Sequence, residues 1–173
     1  VALCGMIAAL CTLLLFATGM IPFGTYALPA LAGLLMVTVA VETGTSWAVT
    51  LYVAVSLLSL ILTPDKEAML MFIMFFGHYP ITKTRLERIK IRPLRWLAKF
   101  LVFNVCVVAA YLIIIYVFQM PDVLTEMGSF GKYSVLVLLG LGNVVFLVYD
   151  FALTQVIRVY VDWFRPRFLR RSK

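Results

Sequence analysis

A chain of 173 residues that is 64% apolar and 13% charged, with a mean hydropathy of +1.04, excludes a water-soluble domain, whose surface needs about twice that share of charge. The net charge of +7 does not point to nucleic acid, because the basic residues stand beside apolar runs, where they mark the cytoplasmic side of a membrane. Cys4, Cys11 and Cys106 all lie inside apolar runs and read as small packing residues rather than disulfide partners or metal ligands.

The apolar runs predict an all-α integral membrane bundle of about six helices in a single domain over 1–173. The first covers 1–20 and stops at Ile21-Pro22; without a basic start or a clear cleavage site it does not read as a secretory signal. The second covers about 27–43, with Pro29 in its first turn, and is short for a hydrocarbon layer of ~30 Å. The third covers 46–62. The fourth, 64–83, opens on TPDKEA, with Thr63 as N-cap, Pro64 at the first position and Asp65 and Glu67 at the positive end of the dipole. It is expected to kink near Gly77 and Pro80. The fifth covers 93–120 and the sixth 132–164.

Seven basic residues lie between Lys83 and Lys99 and six between Arg158 and Lys173, which puts both stretches and both termini on the cytoplasmic side. Trp47, Trp96 and Trp163 then all fall at the inner interface. The segment 81–92, within TKTRLERIKIRPLRWLAK, reads as a basic helix lying on the inner surface of the lipid bilayer.

Catalytic patterns are missing from the sequence. There is one histidine, His78, read as an interfacial or helix-breaking residue, and no HExxH, GxSxG or pair of intramembrane aspartates. No enzyme, metal centre or cofactor is expected. The glycines of LGLGN read as helix-packing positions.

Polar groups at membrane depth need partners. Asn104 and Asn143 each lie roughly 16 Å from the start of a helix, so they are expected to bond each other, with ligand contact as the other reading. Asp150, Thr154 and Gln155 follow lower on the sixth helix; a structural hydrogen bond is the expected role of Asp150, and proton transfer the alternative. At the outer side, Phe23 and Tyr26 after the first helix and Phe130 and Tyr133 before the sixth would share one mouth, with Asp122 and Glu126 nearby. A small planar or cationic solute would suit it.

The first helix sorts its residues by size. Cys4, Gly5, Ala8, Ala9, Cys11 and Thr12 fall on one side, and Leu3, Met6, Ile7, Leu10, Leu13 and Leu14 on the other. Small residues let helix backbones approach inside a bilayer, so this face is expected to receive another helix, from this chain or a partner.

Residues 5 to 43, GMIAALCTLLLFATGMIPFGTYALPALAGLLMVTVAVETG, resemble the start of a substrate-binding S component of an energy-coupling factor transporter. The likeness lies in an alanine-rich first helix, an "IP" exit, a short outer loop and a Leu/Pro/Ala/Gly second helix. It implies six helices with cytoplasmic termini and a vitamin-like ligand bound near the outer face, with Phe23 and Tyr26 in the closing loop. It also implies docking through Gly5 and Ala9, with Ala8 and Thr12 beside them, to a transmembrane coupling protein with ATPase subunits. A scaffold for cell-envelope machinery, like the rod-shape-determining membrane proteins, has comparable size and topology, and a small proton-coupled carrier is the third reading.

Overall fold

The computed structural model describes residues 2–21, 24–87, 89–117 and 134–164, side chains of 134–138 and 164 excepted. These form α1 (Ala2–Ala17), α2 (Gly24–Glu42), α3 (Thr45–Leu62), α4 (Lys66–Met71), a π-helical stretch Phe72–Phe76, α5 (Tyr79–Leu86), α6 (Arg92–Tyr116) and α7 (Ser134–Val159), which closes in a π-helical turn Tyr160–Phe164. No strand occurs among the described residues. α4, the π stretch and α5 together occupy the place of the fourth predicted helix, so the all-α bundle of about six helices is what the chain forms.

Among the described residues, four helical segments are long and apolar enough to cross a membrane: α2, α3, α6 and Leu139–Trp163 of the last helix. α1 is apolar but has only 16 residues. The bundle is apolar outside as well as inside. Leu13 is 64% exposed, Ile61 82% and Val148 65%, a surface that suits hydrocarbon and not water.

α2 differs from its predicted form. It begins at Gly24, whose N–H donates to the Ile21 carbonyl at 2.8 Å, and its 19 residues reach about 28 Å. Pro29 is therefore a buried interior residue rather than a first-turn one. Thr63 is not the cap of α4. It ends α3, donating its N–H to Ser59, while Asp65 caps α4 by accepting from the N–H groups of Glu67 and Ala68 at 3.0 and 3.1 Å. An aspartate two residues nearer the helix outcompetes the threonine because its carboxylate meets two orphan donors at once.

The fourth rod bends as expected, and a π stretch makes the bend: the Gly77 N–H donates to the Phe72 carbonyl at 2.8 Å, one residue further back than in an α-helix. His78 follows as the cap position of α5, its Nε2 on the Met74 carbonyl at 2.6 Å. The predicted surface helix over 81–92 is not one helix. α5 ends at Leu86, α6 starts at Arg92, and Ile81 and Lys83 are buried in the bundle.

The size-sorting of α1 also divides differently. α1 packs on α2 and α3 along Ile7, Cys11 and Leu15, with Cys4 and Ala8 partly buried beside them. Cys11 Sγ donates to the Ala32 carbonyl at 3.4 Å. The small face thus straddles the boundary: Cys4, Ala8 and Cys11 serve the core, while Gly5 and Ala9 look outward.

Candidate functional site: an aromatic cavity between two polar clusters

The sequence FIMFFGHY places Phe72, Phe75, Phe76 and Tyr79 on one side of the kinked rod, and all four are buried. Phe75 is the hub. Its ring centroid lies 4.8 Å from Tyr79, 5.1 Å from Phe103, 5.2 Å from Phe76 and 5.8 Å from Phe146. Phe103 of α6 stacks on Phe146 of α7 at 4.8 Å. Rings of this width hold α6 and α7 apart where Gly142 offers no side chain, and a cavity of about 250 Å³ remains among them. Its walls are Phe75, Phe76, Phe103, Phe146 and Tyr149; Tyr26 and Tyr111 stand at one end. Leu141 and Val145, 62% and 58% exposed, border it and face out of the bundle.

At the Tyr26–Tyr111 end the polar chemistry converges on Glu67. Tyr26 Oη donates to Glu67 Oε1, Tyr111 Oη reaches the same oxygen at 3.2 Å, and the two phenols lie 3.1 Å apart. The Asp65 cap fixes the first turn of α4 and so aims Glu67 at both rings.

At the opposite end lies an ion cluster that joins three helices. Asp150 of α7 accepts from Tyr79 Oη and Lys83 Nζ of α5 at 2.7 Å each, and from Lys99 Nζ of α6 at 2.9 Å. Lys83 spends its remaining donors on the Asp150 carbonyl at 2.6 Å and Thr154 Oγ1 at 2.7 Å. Glu87, half-exposed, stands 3.6 and 3.5 Å from the two ammoniums. Two cations and two carboxylates balance, and the Lys83 and Asp150 side chains are 0% and 6% exposed, a burial that charge tolerates only when paired and hydrogen-bonded.

Between the clusters, Asn104 and Asn143 exchange hydrogen bonds at 3.0 and 3.1 Å. Each also donates to the carbonyl four residues back, Phe100 and Leu139, so their amide hydrogens are committed within the protein. Of the residues predicted for the outer mouth, Tyr26 lines the cavity, whereas Phe23, Phe130 and Tyr133, with Asp122 and Glu126, lie outside the described residues. Thr154 belongs to the ion cluster; Gln155 is exposed and takes no part in it. Gly5 and Ala9 are exposed, and Ala8, Ala9 and Thr12 line an open groove with Leu58 and Leu62 of α3. The sequence shows Glu67 only as a first-turn acid and Lys83 and Lys99 only as members of the basic stretch, and it gives no sign of Tyr111. No family model, curated protein or solved structure matches this chain.

Proposed function

We propose that this chain is a multi-pass protein of the cell membrane that binds a small nutrient near the outer face and relies on a partner for energy, as an S component of an energy-coupling factor transporter does. The aromatic cavity is the single observation that carries the reading: roughly 250 Å³ of space walled by aromatic side chains and open past Leu141 and Val145 can take up a small molecule. The volume sits just under the range of ~300–1,000 Å³ usual for small-molecule sites. A cell-envelope scaffold would use the same outer surfaces without the cavity, so a bound ligand separates the two readings.

Protein purified in mild detergent is expected to carry a stoichiometric small molecule in native mass spectrometry. Gly142→Leu should remove it without unfolding the bundle, because Gly142 borders the cavity and a Cβ there meets only Phe103 at ordinary contact, 3.4 Å. An empty wild-type protein, or a ligand that survives Gly142→Leu, argues against the cavity as the site.

The outward face of α1 supports the docking half of the reading. A Cβ on Gly5 would meet no atom within 4 Å, so Gly5→Leu and Ala9→Leu should leave the melting temperature unchanged. They should reduce co-purification of a transmembrane partner and its ATPases by more than about tenfold, the effect of losing ~1.4 kcal/mol of close helix packing. Unfolding of the variants instead would make that face internal and end the docking proposal.

A further inference from the structure

The geometry points to a ligand that is an amine: an aromatic or otherwise apolar body of one or two rings carrying a single cationic nitrogen, the nitrogen held by Glu67 and the body by the cavity. The inference rests on the cavity being the ligand site and adds the charge and shape of what fills it.

The two carboxylates flanking the cavity are treated differently by the fold. Asp150 meets two lysines and a tyrosine, and nothing of its charge is left to offer. Glu67 meets only phenols. Among the described residues no ammonium or guanidinium forms an ion pair with it. Lys66, its neighbour, turns its Nζ to the Thr63 carbonyl at 3.3 Å. Both phenol bonds fall on Oε1, which leaves Oε2 with lone pairs for another donor. A carboxylate that is only partly exposed, hydrogen-bonded by neutral groups and lacking a counter-ion keeps its attraction for a cation, and low-dielectric surroundings strengthen that attraction.

The same two phenols are cavity walls, so the carboxylate stands one side chain from the void. From Tyr111 to Phe103 along α6 is about 12 Å at 1.5 Å per residue, the length of an arylalkyl amine and too short for a full acyl chain. The rings of Phe75, Phe103, Phe146 and Tyr149 surround the body. Anionic solutes are excluded by the same carboxylate.

The test is equilibrium binding to the detergent-purified full chain, using arylalkyl amines of one and two rings beside their alcohol and carboxylate isosteres. The amines should bind at least about tenfold tighter than the alcohols, the size expected for a charge-assisted hydrogen bond, and the carboxylates should not bind. Glu67→Gln keeps an acceptor for Tyr26 and Tyr111 but removes the charge, so it should bring amines and alcohols to the same affinity. Tyr111→Phe should weaken amine and alcohol binding in parallel and keep the preference. If Glu67→Gln fails to fold, the amine-to-alcohol ratio on the wild type decides alone. Equal wild-type affinity for amine and alcohol, both lost in Gly142→Leu, overturns the amine assignment while the cavity stands. Failure of every amine and every alcohol to bind overturns both.

Discussion

Asp150→Ala should cost about 3–5 kcal/mol of stability, the usual penalty for removing one partner of a buried ion pair, read as a lower midpoint of unfolding in detergent. The reason is what stays behind. Lys83 and Lys99 have side chains 0% and 5% exposed, and without Asp150 the Lys83 ammonium keeps only the residue 150 carbonyl, Thr154 and a Glu87 carboxylate at 3.6 Å. Two like charges are then buried against each other. The fold responds by pulling α5, α6 and α7 apart at that end, so hydrogen exchange should rise there first while the Glu67 end stays protected.

Asp150→Asn separates charge from hydrogen bonding. Its carbonyl oxygen still accepts from Tyr79 and Lys83, yet the cationic excess remains, so a loss smaller than that of Asp150→Ala is expected. Converting the whole cluster to apolar residues, Lys83→Met with Lys99→Met and Asp150→Leu, should return most of the lost stability, because the desolvation cost of all three charges disappears together. Such recovery means the cluster is a fastening between helices. If Asp150→Ala instead unfolds within about 1 kcal/mol of wild type, the level of a surface pair, the three helices are not held by it and the proton-carrier reading of Asp150 regains its ground. Transport by Asp150→Asn supplies the complementary readout: a folded variant that binds ligand normally but no longer moves it would give Asp150 a transport role beyond fastening.

The sequence disclosed the rods and hid their joints. Apolar runs were enough for about six helices, because run length is a property of contiguous residues. Depth along a helix is equally local, and it is why Asn104 and Asn143 were legible as a pair. The partner of Asp150 was not. Lys83 and Lys99 stand 67 and 51 residues away, inside a stretch whose seven basic residues read together as a solvated inner surface. A usable signal existed. A lone intramembrane carboxylate demands a cation, and Lys83 lies four residues after Tyr79 on the same helical face, next to an apolar run rather than in mid-loop. Glu67 escaped for a different reason. As a first-turn acid it had a complete local explanation in the helix dipole, and only the tertiary approach of Tyr26 and Tyr111 shows that its carboxylate meets two wall residues of the cavity. The small face of α1 shows the limit from the other side: composition says that a helix can be approached closely, and only packing says by which of its small residues.

Gly33→Ala is expected to damage this protein strongly for the addition of one methyl. A Cβ at Gly33 would lie 2.4 Å from the Phe76 carbonyl oxygen and 2.5 Å from Tyr149 Oη, both far inside contact distance. Phe76 ends the π stretch and its carbonyl is backbone, so it cannot rotate away as a side chain would; α2 must retreat instead. Overpacking of this kind costs about 1–3 kcal/mol, and a rigid obstacle puts Gly33→Ala at the upper end. The effect should also reach the ligand, because Phe76 and Tyr149 are cavity walls. Gly140→Ala is the matched control: it lies on α7, where a Cβ would meet nothing within 4 Å, and should leave stability within about 1 kcal/mol of wild type or raise it through helix propensity. Unfolding midpoints of the two alanine variants in one detergent, with ligand binding on each, make the comparison. A clear loss in Gly33→Ala alone establishes that the cavity is shaped by how closely α2 approaches the kinked rod. Equal midpoints would mean that α2 does not rest on Phe76, and that the wall of the cavity built on that contact stands elsewhere.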